Sequence, residues 1–230
     1  MNTPAIVFED NHIMVVIKPQ NVPTQEDKSG DLDMLNMLKK HRAEKENKKG
    51  EAFVGLVHRL DRVTGGVMVF AKTSKAASRL SEQMRDGEFA KKYVTVLAGC
   101  PKERRDTLEH YLLKNERTNK VEIVGAAVDG AKRAELSYNV KSISGDLSLA
   151  EVTLVTGRSH QIRVQMQNLG TPIWGDAKYG NGVGNGLALW AYELSFNHPT
   201  SGDRLKFVVN PPEIAPWTEF DFDRKSHKTR

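Results

Sequence analysis

The sequence predicts an α+β fold. Short runs rich in β-branched residues recur from end to end, and only three stretches carry helical spacing. No internal repeat or low-complexity segment interrupts this mixture, so a packed globular core is expected rather than a solenoid or a linker.

The opening Ala5-Ile6-Val7-Phe8 and His12 to Ile17 read as two strands parted by the turn-like Glu9-Asp10-Asn11, and Lys18-Pro19-Gln20-Asn21-Val22-Pro23 then breaks regular structure. Leu32, Leu35 and Leu38 with Met34 space out an amphipathic helix that Asp31 can cap, and the run Lys39 to Glu51 beyond it is charged and mobile-looking. Phe53 to Val57 and Gly66 to Ala71 read as strands bracketing a polar turn, followed by a helix from Ser74 to about Asp86. Ala90 to Ala98, Thr107 to Lys114, Lys132 to Lys141 and Leu147 to Val155 alternate or run in branched residues, so the middle of the chain reads as antiparallel sheet. Arg158 to Leu169 reads as a helix ended by Gly170, and Leu187 to Phe196 and Arg204 to Val209 add strands. Gly180 to Gly186 hints at a phosphate cradle but is not G-x-G-x-x-G and lacks the Lys-Ser/Thr of a P-loop, so it reads as a flexible loop.

A chain of 230 residues, 39% hydrophobic and 27% charged, can build one substantial core, and a single domain over 1–230 is expected. Cys100 is the sole cysteine, which excludes an intrachain disulfide and any zinc site built on two thiolates. No signal-like or membrane-length apolar run occurs, and the chain reads as a cytoplasmic protein. A net charge of +5 and a pI near 9.2 suit a polyanionic partner.

Two polar clusters carry candidate chemistry. In His58-Arg59-Leu60-Asp61-Arg62-Val63-Thr64-Gly65-Gly66 a turn carboxylate is flanked by two guanidinium groups, which favour the ionised form of a carboxylate, and the paired glycines permit close backbone approach. In Thr156-Gly157-Arg158-Ser159-His160-Gln161-Ile162-Arg163 a helical wheel puts Ile162, Met166 and Leu169 on one stripe and His160, Arg163 and Gln167 on another. That spacing turns Arg163 away from the core stripe and allows a solvated basic face as well as a site. His58, His160 and His198 lack an H-E-x-x-H or triad context and read as structural, no G-x-S-x-G elbow occurs, and no second acid accompanies Asp61 as glycoside hydrolysis requires.

Together the clusters resemble the RluA-type RNA pseudouridine synthases. His58 to Gly66 is similar to their H-R-L-D-x-x-T-S-G signature, with Gly65 for the usual serine; Lys91-Lys92-Tyr93 resembles their K-x-Y segment. Gly157-Arg158-Ser159-His160-Gln161-Ile162-Arg163, then Gly170-Thr171-Pro172-Ile173-Trp174-Gly175-Asp176 and Lys178-Tyr179-Gly180, resembles their G-R-x-H-Q-I-R…G-x-P-I-x-G-D-x-x-Y-G block. Phe8 to His12 and Lys18-Pro19 fit the family's first strands, and Trp190 departs from a common histidine.

The resemblance implies a two-lobed, mainly antiparallel mixed sheet with a basic cleft, catalysis by Asp61, stacking of Tyr93 on the target uracil and pairing of Arg163 with the aspartate. Arg59, Arg62, Thr64, Arg158, His160 and Gln161 join them as expected substrate-binding residues. The implied reaction needs no cofactor, metal or redox change, and the implied partner is structured ribosomal or transfer RNA acted on by a monomer. The first strand starts at about Ala5, so no N-terminal S4-type RNA-binding domain is expected. The competing readings are a non-catalytic RNA-binding protein or chaperone with the same fold, and a nucleoside hydrolase.

Overall fold

The computed structural model describes residues 4–47, 49–182, 184 and 186–222. They form two compact units, one of the chain up to Ala90 with Ala191–Asn210, the other of Lys91–Trp190 with residues 211–222. Mixed strands with few helices make the α+β class that the sequence predicts.

In the first unit β1 (Ala5–Glu9), β2 (Ile13–Lys18), β3 (Gly55–Leu56) and β4 (Gly65–Ala71) combine with helices α1 (Met34–Lys45) and α2 (Ser74–Arg85). The strand order is β1-β2-β4, continued by the returning strand Leu189–Asn197, which also pairs antiparallel with Arg204–Val208. Every residue of β4 is buried, as its unbroken apolar run Val67-Met68-Val69-Phe70-Ala71 demands. Ile13, Val15, Val67 and Val69 share a core with Leu80 of α2, Phe196 and Phe207. Antiparallel pairing of β2 with β4 aligns Ile13 with Ala71 and Lys18 with Gly66, bringing the end of β2 beside the His58–Gly66 turn.

Gly66 shows why that turn needs glycine. Its φ is +128°, and a Cβ there would lie 2.3 Å from the Ala191 carbonyl oxygen. The close approach expected of the paired glycines is thus to the chain's own backbone.

The second unit holds β5 (Ala90–Ala98), β6 (Arg105–Asn115), β7 (Lys120–Val124), β8 (Lys132–Ser144), β9 (Leu147–Leu154) and α3 (Gln161–Asn168), followed along the chain by β10 (Leu189–Asn197) and β11 (Arg204–Val208) of the returning segment. Antiparallel pairing gives the order β5-β9-β8-β6-β7. The segment after α3 runs along β5, with Ala98 N–H donating to Pro172 C=O, Trp174 N–H to Val96 C=O and Val96 N–H to Ala188 C=O. Val164 and Tyr179 pack with Leu112, Val121 and Ala134 in this unit's core.

Several boundaries move for identifiable reasons. Asp33 rather than Asp31 caps α1, accepting from Asn36 N–H at 3.0 Å, while Leu32 is exposed and Asp31 pairs with Arg62. The start of the charged run is helical to Lys45 because Arg42 is buried and donates to the carbonyls of Phe53 and Lys72. Thr73 is the cap of α2, accepting from Ala76 N–H. Helix α3 starts late because His160 sits in the left-handed region at φ 52°. Strand β7 escaped notice because only five residues, Lys120–Val124, carry it. In the glycine-rich stretch Val183 and Asn185 lie outside the described residues, and Gly184 abuts the Trp174 ring, so this part is packed.

Candidate active site

Asp61 sits half-buried on a turn closed by Thr64 N–H donating to the Asp61 carbonyl oxygen at 3.0 Å. The backbone on both sides of it is fastened by three side chains, from the last residue of β2 and the irregular segment that follows. Thr24 Oγ1 donates to Leu60 C=O at 2.8 Å, Gln20 Nε2 to Val63 C=O at 3.1 Å, and Lys18 Nζ to Arg62 C=O at 3.0 Å. His58 adds an internal bond, its Nε2 accepting from Val69 N–H at 3.2 Å.

Lys18 is the residue that sequence reasoning passed over here. It is fully buried, and its other two donors go to the carbonyls of Pro19 and Val22 at 2.9 and 2.7 Å. Burial pushes its ammonium down to about 7, with the Asp61 carboxylate opposing the fall and the Arg62 guanidinium adding to it. The available signal was a lysine ending the otherwise apolar strand Ile13-Met14-Val15-Val16-Ile17.

The two arginines beside Asp61 have different surroundings. Arg62 engages Asp31, Asp27 at 3.5 Å and the Ser29 hydroxyl at 2.8 Å, so an acidic loop accompanies its charge. Arg59 is exposed, and Thr64 is buried.

The remaining expected site residues lie in the second unit. Tyr93 is buried on β5 opposite Val152. Lys91, two residues before it and therefore on the same strand face, is pushed down by burial, with Gly157 beside its Nζ. The solvated basic face that the helical wheel allowed for Arg163 is overturned: Gln161 through Met166 are all buried, Gln165 reaching Leu108 C=O and His110 Nδ1. Arg163 Nε donates to Asp176 Oδ2 at 2.8 Å and Nη2 to Oδ1 at 2.7 Å, a bidentate pair whose carboxylate is fully buried. The Tyr179 ring lies 5.0 Å from the guanidinium carbon. Burial alone would raise the Asp176 carboxyl, but Arg163 and the amides of Lys178 and Tyr179 outweigh it and hold the group low.

His160 Nδ1 lies 2.7 Å from the Tyr179 hydroxyl, which accepts from Val121 N–H at 2.8 Å. Gln161 binds Thr156, Arg158 N–H and Glu135 C=O, and Arg158 Nε donates to Arg133 C=O. These bonds shape the loop into α3. Asp176 and Tyr179 stand in the block quoted from the sequence, but nothing local to them signalled that they face Arg163.

Residues 12–168 match the model of a family described as RNA pseudouridylate synthase. The chain belongs to this family. Among its relatives, ribosomal large subunit pseudouridine synthase C of Haemophilus influenzae is 33% identical over 211 residues, covering 88% of this chain and 63% of the relative. The Escherichia coli K12 protein of the same name is 33% identical over 87% of this chain and 64% of its own length. An uncharacterized RNA pseudouridine synthase, YlyB of Bacillus subtilis, is 33% identical over 90% of the chain and 69% of its length. The chain thus spans a little under two thirds of the length of the synthase C relatives. The structure titled human RNA pseudouridylate synthase domain containing 4 shares the fold, with a TM-score of 0.77 at 24% identity over 94% of this chain and 90% of that one. For this member of the pseudouridylate synthase family the RluA-type reading of the motifs stands, as does its fold class.

Proposed function

We propose that this protein converts a uridine of structured RNA to pseudouridine, with Asp61 as the essential carboxylate. The observation that carries this reading is the turn His58–Gly66, where Lys18, Gln20 and Thr24 fasten the backbone on both sides of one carboxylate. A protein that only bound RNA would gain nothing from fixing a carboxylate toward a polyanion. In the reaction the N1–C1′ bond breaks, the uracil turns, C5 bonds to C1′, and C5 loses its proton as N1 regains one. Asp61 serves either by attacking C1′ or by removing the C2′ proton, two routes that use the same oxygen atoms.

Within this reading Tyr93 stacks on the extruded uracil and recovers part of the unstacking cost of ~a few kcal/mol, and Arg163 supplies the guanidinium that the family pattern pairs with the aspartate. Arg59, Arg62, Thr64, Arg158, His160 and Gln161 complete the proposed substrate-binding set. No metal or cofactor enters this scheme, and a monomer suffices for it. Ribosomal RNA is the favoured substrate over transfer RNA, supported by the ribosomal names of the synthase C relatives. A compact stem-loop is the favoured context because A-form helices hide their base edges from side chains. Of the basic run Lys39 to Lys49, Lys39, Lys40, Arg42 and Lys45 already face Glu51, Glu44, Glu46 and Glu9, which reduces the contribution of this run to RNA binding.

Pseudouridine maps of total RNA from cells with and without the gene test the substrate. Loss of a site in a ribosomal stem-loop is expected. Loss confined to long duplexes, or to transfer RNA, contradicts the assignment.

A further inference from the structure

Arg163 does not stand alone. Its Nε and Nη2 are taken side-on by Asp176, a residue whose carboxylate is wholly inside the protein. Asp176 is itself immobilised, because Oδ1 also accepts from Lys178 N–H at 2.9 Å and Tyr179 N–H at 3.0 Å. Tyr179 then covers the guanidinium with its ring while its hydroxyl is fixed between Val121 N–H and His160 Nδ1. A guanidinium is planar, so two bonds on the Nε–Nη2 edge and a ring close to it fix its orientation and the direction of the Nη1 edge.

We propose that Asp176 and Tyr179 are positioning residues for Arg163, holding its guanidinium in the one orientation that the isomerisation uses. The inference rests on the assignment of Arg163 to the active site made above. Because Asp176 already neutralises the arginine locally, what the pair delivers is placement of the Nη1 donors rather than net charge. Displacement of a positioned group by about 1 Å costs on the order of a hundredfold in rate.

The test is tritium release from bulk RNA carrying [5-³H]uridine, prepared from cells lacking the gene and reacted with the purified full chain. Asp176→Asn is expected to slow release at saturating RNA about a hundredfold while the half-saturating RNA concentration stays within about threefold, a split that a merely loosened fold would not give. Tyr179→Leu, which removes the ring, falls about tenfold, and a wild-type rate in that variant overturns the part given to Tyr179. The deciding comparison is the double variant Arg163→Gln with Asp176→Asn, a buried pair without charge, which is expected to be no slower than Arg163→Gln alone. Additive losses overturn the inference, as does Asp176→Asn at the wild-type rate beside an inactive Arg163→Gln. Should Asp176→Asn fail to fold, Asp176→Glu decides, and a rate within about threefold of wild type then overturns the inference. Full activity of Arg163→Gln removes the assignment of Arg163 itself, and with it anything to position.

Discussion

Arg163 changes most in meaning between sequence and structure. A guanidinium read only as a charge near a carboxylate should be replaceable by lysine, which keeps that charge. The side-on pair with Asp176 argues otherwise, since a lysine ammonium cannot present two parallel donors to one carboxylate. Arg163→Lys is therefore expected to lose nearly as much turnover as Arg163→Ala, and turnover near wild type in the lysine variant would count against the geometric account. Lys18 yields a second prediction at this scale. Its Nζ donates to the carbonyls of Pro19, Val22 and Arg62, so Lys18→Met strands buried acceptors and should destabilise the protein by about 2–3 kcal/mol, read from urea midpoints. Its folded pKa of about 7 lies below the unfolded value near 10.5, so the unfolded state holds more protons between the two. Stability from this group is fully present above 10.5 and lost as pH falls through 7; the rise in stability on going from pH 7 to pH 10 should be smaller in Lys18→Met, and an identical rise contradicts the assignment.

Charge becomes an anchoring device between elements. Glu9, on β1, takes Lys72 at 2.8 Å and Lys45, at the end of α1, at 2.6 Å, and Glu46 joins Arg42 at 2.7 Å. Burial would raise the Glu9 carboxyl, but the two ammonium groups outweigh it and leave its pKa below the usual value. Glu9→Gln leaves nearly buried Lys72 with only the more distant Glu46 carboxylate at 3.6 Å and is expected to cost about 1–2 kcal/mol, less than a wholly buried pair because Glu46 remains and Lys45 is exposed. The Glu9 contribution is present above the unfolded value and lost as pH falls through the depressed one, so the substitution should also flatten the acid limb of the stability profile. Thermal melts at neutral and acidic pH check both, and an unchanged acid limb would contradict the role given to Glu9. This network also explains what was legible at the element scale. Apolar runs such as Val67 to Ala71 announced their strands directly, whereas Lys39 to Lys45 read as mobile because its helix is held by Arg42 and Glu9, partners dispersed along the chain. Asp31 read as a cap for the same reason, its true partner Arg62 being 31 residues away.

For the whole molecule, the class of fold and the family were legible because four ordered motifs and the alternation of strands are local properties of the sequence. The proposed assignments of Asp61, Tyr93 and Arg163 are drawn from those same motifs. Lys18, Asp176 and Tyr179 as supports were not legible, because their roles exist only once β2 is aligned with β4 and the chain after α3 has folded back beside that helix. The RNA target is less legible still, since shape and exposed bases rather than any short motif select it. The central claim is that Asp61 performs the isomerisation, and the direct measurement is tritium release from [5-³H]uridine-labelled RNA by wild type and Asp61→Asn, with RNA affinity measured in parallel. The account predicts release by wild type, none above background by Asp61→Asn, and affinities within about threefold because the change is nearly isosteric and removes only the charge. Release by Asp61→Asn within tenfold of wild type, or RNA binding without release by the wild-type protein, would contradict it.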